Sequence, residues 1–260
     1  MIRVGYLAAN TPKAESVLLQ IASGCSLINV EKEPEAAIDV LLVLGGDGFM
    51  LNALHRYMHK GIAIYGINCG TVGFLLNDYQ QGSDLMSIIE HAAVSELKIL
   101  QVKATDLHGS IYNTYAINEA SLFRMSHQAT FLRVKVNEQI CLEKLVGDGI
   151  IVSTAAGSSA YNFSAGGSIL PIDSALLSVA GINTFRPRRW QSAILPDSVV
   201  VGLEVLEPEN RPVMLTADCN EFHQIAKVEI SVDKNNVIKL LFNSHEQLFA
   251  RLINEQFFCG

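Results

Sequence analysis

Positive charge is sparse in this sequence: 19 Lys and Arg stand against 26 Asp and Glu, a formal net charge of −7. The one dense basic cluster is Arg186-Pro187-Arg188-Arg189, so no nucleic-acid surface is expected. The five cysteines (25, 69, 141, 219 and 259) include no CxxC pair. Wide spacing and an odd count read as reduced thiols, not as a disulfide or zinc framework. Seven scattered histidines do not add a structural metal site to that reading. No apolar run reaches the roughly 18 residues of a membrane span. The opening MIRVGYLAAN turns polar too soon for a signal peptide. A cytoplasmic protein without a membrane anchor is the expectation. Repeats, low-complexity segments and long linkers are missing as well.

What the chain does have is apolar material, 49% of its residues, enough for a real core in one large or two modest domains. Its organising stretch is Val40-Leu41-Leu42-Val43-Leu44-Gly45-Gly46-Asp47-Gly48. Five apolar residues predict a short buried strand, and residues 49–60 then carry Met50, Leu51, Leu54, Tyr57 and Met58 at helical spacing. Strand, glycine turn and helix together aim main-chain N–H groups at a phosphate. The glycines permit close approach and positive φ. Asp47 would repel an anion, which makes sense if it accepts a proton or holds a magnesium ion. A helix-capping aspartate is the plainer alternative.

Residues 2–8 read as a first strand and 11–23 as a helix opened by Thr11-Pro12. A strand at 62–67 precedes the second glycine loop, Asn68-Cys69-Gly70-Thr71-Val72-Gly73-Phe74-Leu75, and a helix over about 83–94 follows. Strands alternating with helices predict a Rossmann-like α/β domain over 1–96, with ligands collecting at the strands' carboxyl ends. From residue 97 the pattern becomes one of short alternating runs, at 97–106, 110–123, 130–137, 149–154, 193–206, 212–217, 228–233 and 237–242. The turn signal Asp233-Lys234-Asn235-Asn236 separates the last two. A β-rich, sandwich-like domain is therefore expected over 97–244, interrupted by one helix at 173–180. A final helix over 245–260 is expected to return to the first domain.

Three more islands carry polar chemistry. Asn118-Glu119 sits within an apolar strand region; Asn can read a purine edge and Glu can accept from ribose hydroxyls. On a solvent face the pair would mean little. The run Gly147-Asp148-Gly149 leads through a strand into Ser153-Thr154-Ala155-Ala156-Gly157-Ser158-Ser159-Ala160-Tyr161-Asn162. Small hydroxyl residues there leave main-chain groups accessible, and Tyr161 adds an aromatic face or a phenolic donor. Ser164-Ala165-Gly166-Gly167-Ser168 follows.

Five islands in this order, covering nearly the whole chain, resemble the NAD kinase family. The GGDG loop alone is shared with lipid kinases and phosphofructokinases. The resemblance implies that Asp47 accepts the proton of the adenosine ribose 2′-hydroxyl, with the phosphoryl donor over Gly45, Gly46 and Gly48. It implies that Gly48 and Phe74 line the dinucleotide site, that Asn118 and Glu119 contact adenosine and ribose, and that Asp148 holds the nicotinamide side. Ser159, Ala160, Tyr161, Asn162, Phe163 and Ser164 would wrap the nucleotide, Ala156 and Ala180 would contribute small-side-chain or main-chain contacts, and Asn220 a further contact. NAD is the implied substrate and ATP the donor, with polyphosphate as an option and a divalent ion, Mg or Mn, accompanying ATP. A crevice site and a homo-oligomer, dimer or tetramer, are implied too. The chain departs from the pattern at Phe49, where a hydroxyl residue is usual, and at Val146, where many bacterial members carry Arg. Ala155, Ala156, Ser159 and the Asp218-Cys219-Asn220 turn also differ. The competing readings are a lipid or sugar kinase with the same loop, and a dinucleotide sensor without catalysis in which Asp47 only caps a helix.

Overall fold

The computed structural model describes residues 2–71, 73–244, 253 and 257. The chain divides into two compact units, Met1–Leu97 with Asn236–Gly260, and Lys98–Asn235. In the first, β1 (Val4–Ala8), α1 (Pro12–Ala22), β2 (Leu27–Asn29), β3 (Val40–Gly45), α2 (Asp47–Tyr57), β4 (Ala63–Asn68) and α3 (Leu85–Glu90) follow in order. The strands lie as β2-β1-β3-β4, every pair parallel. Parallel pairing requires long crossovers, and α1 and α2 lie in two of them. With no solvent face to satisfy, β3 is apolar throughout, and Leu41, Leu42, Val43 and Leu44 are fully buried. Thr11 caps α1 through its hydroxyl, which accepts from the Ala14 N–H at 3.3 Å, and Pro12 follows where its missing N–H costs nothing.

The second unit is built from the part of β5 (Ala93–Asp106) that follows Leu97, then β6 (Ile111–Ala116), β7 (Glu119–Arg124), β8 (Thr130–Val136), β9 (Gln139–Gly147) and β10 (Gly149–Ser153). A 3-10 turn (Ala156–Ser159) and α4 (Tyr161–Ser164) precede β11 (Leu176–Ile182). Then come β12 (Ser192–Pro196), β13 (Val201–Leu206), β14 (Val213–Ala217), β15 (Asn220–Phe222) and β16 (Ile225–Phe242). One antiparallel layer runs β12-β11-β10-β7-β14-β15; the other runs β16-β13-β8-β9, with β5 joining β16 to β6. Period-two alternation turns Val201, Leu203 and Val205 of β13 inward, where they share one core with Leu122, Ile150, Val152 and Leu215 of the other layer. From Asn236 onward β16 belongs to the first unit, and Lys239, Leu240 and Leu241 pair in parallel with Ala63, Ile64 and Tyr65.

Several expectations fail for identifiable reasons. Residues 173–180 form no helix: β11 is a strand held between β10 and β12. An apolar run buried on both faces carries no period that separates strand from helix. The runs 110–123 and 193–206 are each broken, because the chain leaves one layer for the other between β6 and β7 and between β12 and β13. The turn signal at 233–236 is overridden, and β16 runs through it, with the Asp233 carboxylate accepting from the Asn235 N–H at 2.8 Å. The helix expected over 83–94 stops at Glu90, and β5 already begins at Ala93. Strand β9 is an edge strand with mostly exposed residues, which hides it from an apolar count. The expected helix over 245–260 lies outside the described residues, apart from Ile253 and Phe257. Among the described residues no helix is long and apolar enough to cross a membrane.

One buried polar side chain ties the first unit's sheet together. Asn77 is 1% exposed; its amide donates to the carbonyls of Gly66 (3.1 Å) and Leu241 (2.9 Å), and its oxygen accepts from the Asn243 N–H (2.9 Å). Removing it takes the side-chain partner from the Leu241 carbonyl and the Asn243 N–H, while the Gly66 carbonyl keeps the Asn77 N–H at 2.7 Å; each lost partner costs about 1 kcal/mol or more. Asn77→Ala is expected to lower unfolding free energy by about 2–4 kcal/mol in urea titration. A loss below 0.5 kcal/mol would contradict this account.

Candidate functional site

The carboxyl ends of β3 and β4 carry the two glycine loops of the first unit side by side. Cys69 N–H donates to the Gly45 carbonyl at 2.8 Å, and a Cβ on Gly70 would lie 3.4 Å from the Gly46 Cα. None of Gly45, Gly46 and Gly48 has a positive φ, so the expected conformational role is not used. At Gly46 and Gly48 a Cβ would meet nothing within 4 Å; what glycine leaves there is open space at the start of α2. Gly46 is the N-cap of α2 and contributes no capping side chain. Asp47 does not cap its own helix either. Its carboxylate crosses to the second loop and accepts the N–H groups of Phe74 (3.0 Å to each oxygen) and Leu75 (3.3 Å). The capping alternative is thereby excluded. A carboxylate has about four lone-pair sites, so one so held is oriented and still able to accept another proton.

In the second unit the turn at 117–119 is clamped from every side. Asp218 accepts the N–H groups of Ile117, Asn118 and Glu119 at 2.5, 3.0 and 3.1 Å. The Thr154 hydroxyl donates to the Ile117 carbonyl at 2.7 Å, while the Asn118 carbonyl accepts from the Thr154 N–H at 2.9 Å and the Ser153 hydroxyl at 3.2 Å. Gly157 is pressed against this turn, since a Cβ there would fall 2.3 Å from the Asn118 carbonyl oxygen. The main chain is thus satisfied, yet Asn118 Oδ1 and Glu119 Oε2 are buried without a partner. Burial, and then the charge of Asp218, push the Glu119 carboxyl up to about 7. Side-chain atoms left in this state point to a ligand that completes them.

Strands β7 and β10 pair Glu119 with Ser153 at one end and Phe123 with Gly149 at the other. At that far end Asp148 accepts from Arg124 Nε (2.5 Å) and Asn183 Nδ2 (2.8 Å), contacts that hold its carboxyl below the usual range, the Asn183 bond first among them. Arg124 thus supplies a cation at the acid although Val146 brings none. Among the wrapping residues, Tyr161, Phe163 and Ser164 are exposed, Ser159 and Ala160 half-buried and Ala156 buried. Asn162 is buried, and its amide donates to the Ser158 and Ser168 carbonyls at 3.0 and 3.2 Å, so it holds the loop. Ala180 is fully buried in β11 opposite Ile151, and Asn220 is exposed at the start of β15. Asp218, Thr154 and Gly157 escape a reading of the sequence, because their task is to hold main chain about 40 to 100 residues away.

His55 and His59 stand four apart on or just past α2, and His59 Nδ1 lies 3.1 Å from Asn236 Oδ1. Among the described residues no group of three or more His, Cys, Asp or Glu side chains gathers as a metal cage. A cavity of about 480 Å³ opens beside Gln20, Cys25, Tyr79 and Asp84 in the first unit, and Gly45, Gly46, Asp47, Gly48 and Phe74 do not line it.

Residues 10–92 match the family model of the ATP-NAD kinase N-terminal domain, and residues 113–244 that of the ATP-NAD kinase C-terminal domain. The NAD kinase of Rickettsia bellii is 47% identical over 219 residues, 84% of this chain and 86% of the relative. That of Hyphomonas neptunium is 41% identical over 256 residues, 98% of each chain. Among solved structures, yeast NADH kinase complexed with NADH superposes with a TM-score of 0.84 at 20% identity, covering 100% of this chain and 89% of that one. An NAD kinase from Archaeoglobus fulgidus in complex with ATP gives 0.76 at 19% identity, covering 98% of both. At such identities these two structures speak for the fold.

The raised Glu119 carboxyl links stability to pH. Its folded value, about 7, exceeds the unfolded value of roughly 4.3. The stability it contributes is therefore complete below the unfolded value and is lost as pH climbs through the folded one. Glu119→Gln cannot ionise. The ligand-free variant is expected to exceed the parent by about 3–4 kcal/mol at pH 8 and to match it near pH 4. Chemical denaturation at the two pH values measures the difference; an equal offset at both would contradict the burial of an ionisable carboxyl.

Proposed function

Because the chain belongs to the NAD kinase family, its reaction is the ATP-dependent phosphorylation of NAD to NADP, and we propose that the residues below carry it. Asp47 takes the proton of the adenosine ribose 2′-hydroxyl as that oxygen attacks the terminal phosphorus of ATP, whose bond to the bridging oxygen breaks and releases ADP. Gly46 and Gly48 leave room for phosphates over the start of α2, and Gly45 makes room for the Phe49 side chain packed against the same loop. Asn118 and Glu119 hold the adenosine, and Asp148 with Arg124 holds the nicotinamide half. The observation that carries the reading is the pair of buried, unpartnered oxygens, Asn118 Oδ1 and Glu119 Oε2, on a turn whose main chain is already satisfied. From Glu119 to Phe123 is four strand steps, about 13 Å at 3.3 Å per residue. That length supports one dinucleotide with its two ends at the two polar clusters.

A lipid or sugar kinase using the same glycine loop would leave the Asn118-Glu119 turn and the Asp148 cluster without a task. A divalent ion suits the site as part of the donor: ions of this kind sit on substrate phosphates with one or two carboxylates. The residues present fit that mode in Asp47, the half-buried carboxylate beside the open space at Gly46 and Gly48. Such an ion would neutralise charge on the transferring phosphoryl group. The protein is further proposed to act in the cytoplasm as a homo-oligomer, dimer or tetramer, for which exposed Phe185 and Ile194 of the second unit offer apolar surface.

Two substitutions test the assignments. Asp47→Asn keeps the shape of the loop but removes the proton acceptor, and kcat at saturating NAD and ATP is expected to fall about 10²- to 10⁴-fold. Near-normal turnover would remove Asp47 from the chemistry. Asn118→Ala is expected to raise KM for NAD about tenfold and leave KM for ATP within about twofold, by the cost of one unpaired polar partner. Equal effects on both substrates would make Asn118 a structural residue.

A further inference from the structure

We propose that Asp218 is a positioning residue for NAD, whose carboxylate seats the 117–119 main chain and so aims Asn118 and Glu119 at the adenosine half of the substrate. The proposal rests on the reading of Asn118 and Glu119 given above and adds a residue to it.

The need for such a residue comes from topology. Strand β6 ends at Ala116 in one layer and β7 starts at Glu119 in the other, so the chain changes sheets at Ile117 and Asn118. Main-chain groups at that step have lost one ladder and have not yet joined the next, and buried N–H groups must be paired. Asp218 takes three in succession, and its own N–H donates back to the Glu119 carbonyl at 3.1 Å. It reaches them from the tight turn between β14 and β15 with φ 49°. Such a left-handed conformation is tolerated best by Asn, Asp and Gly. Strain, charge and three hydrogen bonds thus converge on one short side chain, 100 residues from the turn it holds.

The same carboxylate sets the electrostatic surroundings of Glu119. Ser153 pairs with Glu119 from β10, Ala156 and Gly157 come from the 3-10 turn, and none of these is charged. Asp218 is the charged group acting on Glu119. An ionised Glu119 accepts hydroxyl protons from ribose, so kcat/KM for NAD should rise with pH through an acidic limb near 7.

The test is Asp218→Asn in the full chain. Asn tolerates the left-handed turn and retains one acceptor oxygen, but lacks the charge and the second acceptor. KM for NAD should rise about tenfold, with KM for ATP and kcat changed less than about threefold. The acidic limb of kcat/KM for NAD should move to lower pH. A residue that only holds the fold together would lower the melting temperature and raise both KM values without moving that limb. Glu119→Gln should abolish the limb, which identifies it. If Asn118→Ala and Glu119→Gln leave KM for NAD unchanged, the adenosine reading itself fails. If they raise it while Asp218→Asn alters neither KM nor limb, the positioning role is overturned. Should Asp218→Asn not fold, Asp218→Ser keeps a short acceptor and is read by the same criteria.

Discussion

Three consecutive N–H groups at Ile117, Asn118 and Glu119 meet one carboxylate, Asp218, and the polar end of the second unit depends on that meeting. Without it the step from β6 to β7 would bury unpaired donors. Each of these costs about as much as a hydrogen bond gains. With it, the turn becomes rigid enough for Thr154, Ser153 and Gly157 to pack against its other side. The two side chains on the turn are left with Asn118 Oδ1 and Glu119 Oε2 unfilled, and a site is what remains once the main chain is satisfied.

The first unit uses a carboxylate in a related way. Asp47 leaves the start of α2 and fastens onto the N–H groups of Phe74 and Leu75, joining two loops that end neighbouring parallel strands. The difference lies in what is left over. Asp218 is spent on its turn, whereas Asp47 sits half-buried beside the open space that Gly46 and Gly48 leave. An oriented acceptor next to room for phosphates is what in-line transfer requires of a protein, because that reaction asks mainly for position and charge.

Small residues at 153–168 serve packing first. Gly157 fits under the Asn118 main chain, and Gly167 lies where a Cβ would strike the Asn162 side chain at 2.1 Å. Ser158 bonds to Ala155 and Leu170, and Asn162 to Ser158 and Ser168. The exposed members, Tyr161, Phe163 and Ser164, stand on a scaffold these contacts make. The run is rich in glycine and serine because its backbones approach closely, and it is ordered for the same reason.

Much was legible in the residues alone. The unbroken apolar run of β3, the capped start of α1 and the alternation of β8 and β13 each state locally which faces are buried. The polar islands at Asp47, Asn118, Glu119 and Asp148 stand out because such groups interrupt apolar runs. Periodicity, however, reports that a face is covered and not which sheet covers it. The helix expected at 173–180, the two runs that split between layers and the continuous β16 were therefore decided only by tertiary pairing. Asp218 shows the same limit. Its turn could be located in the sequence, but the three donors that give it a purpose lie 99 to 101 residues away, and only folding brings a carboxylate to the N–H groups that need it.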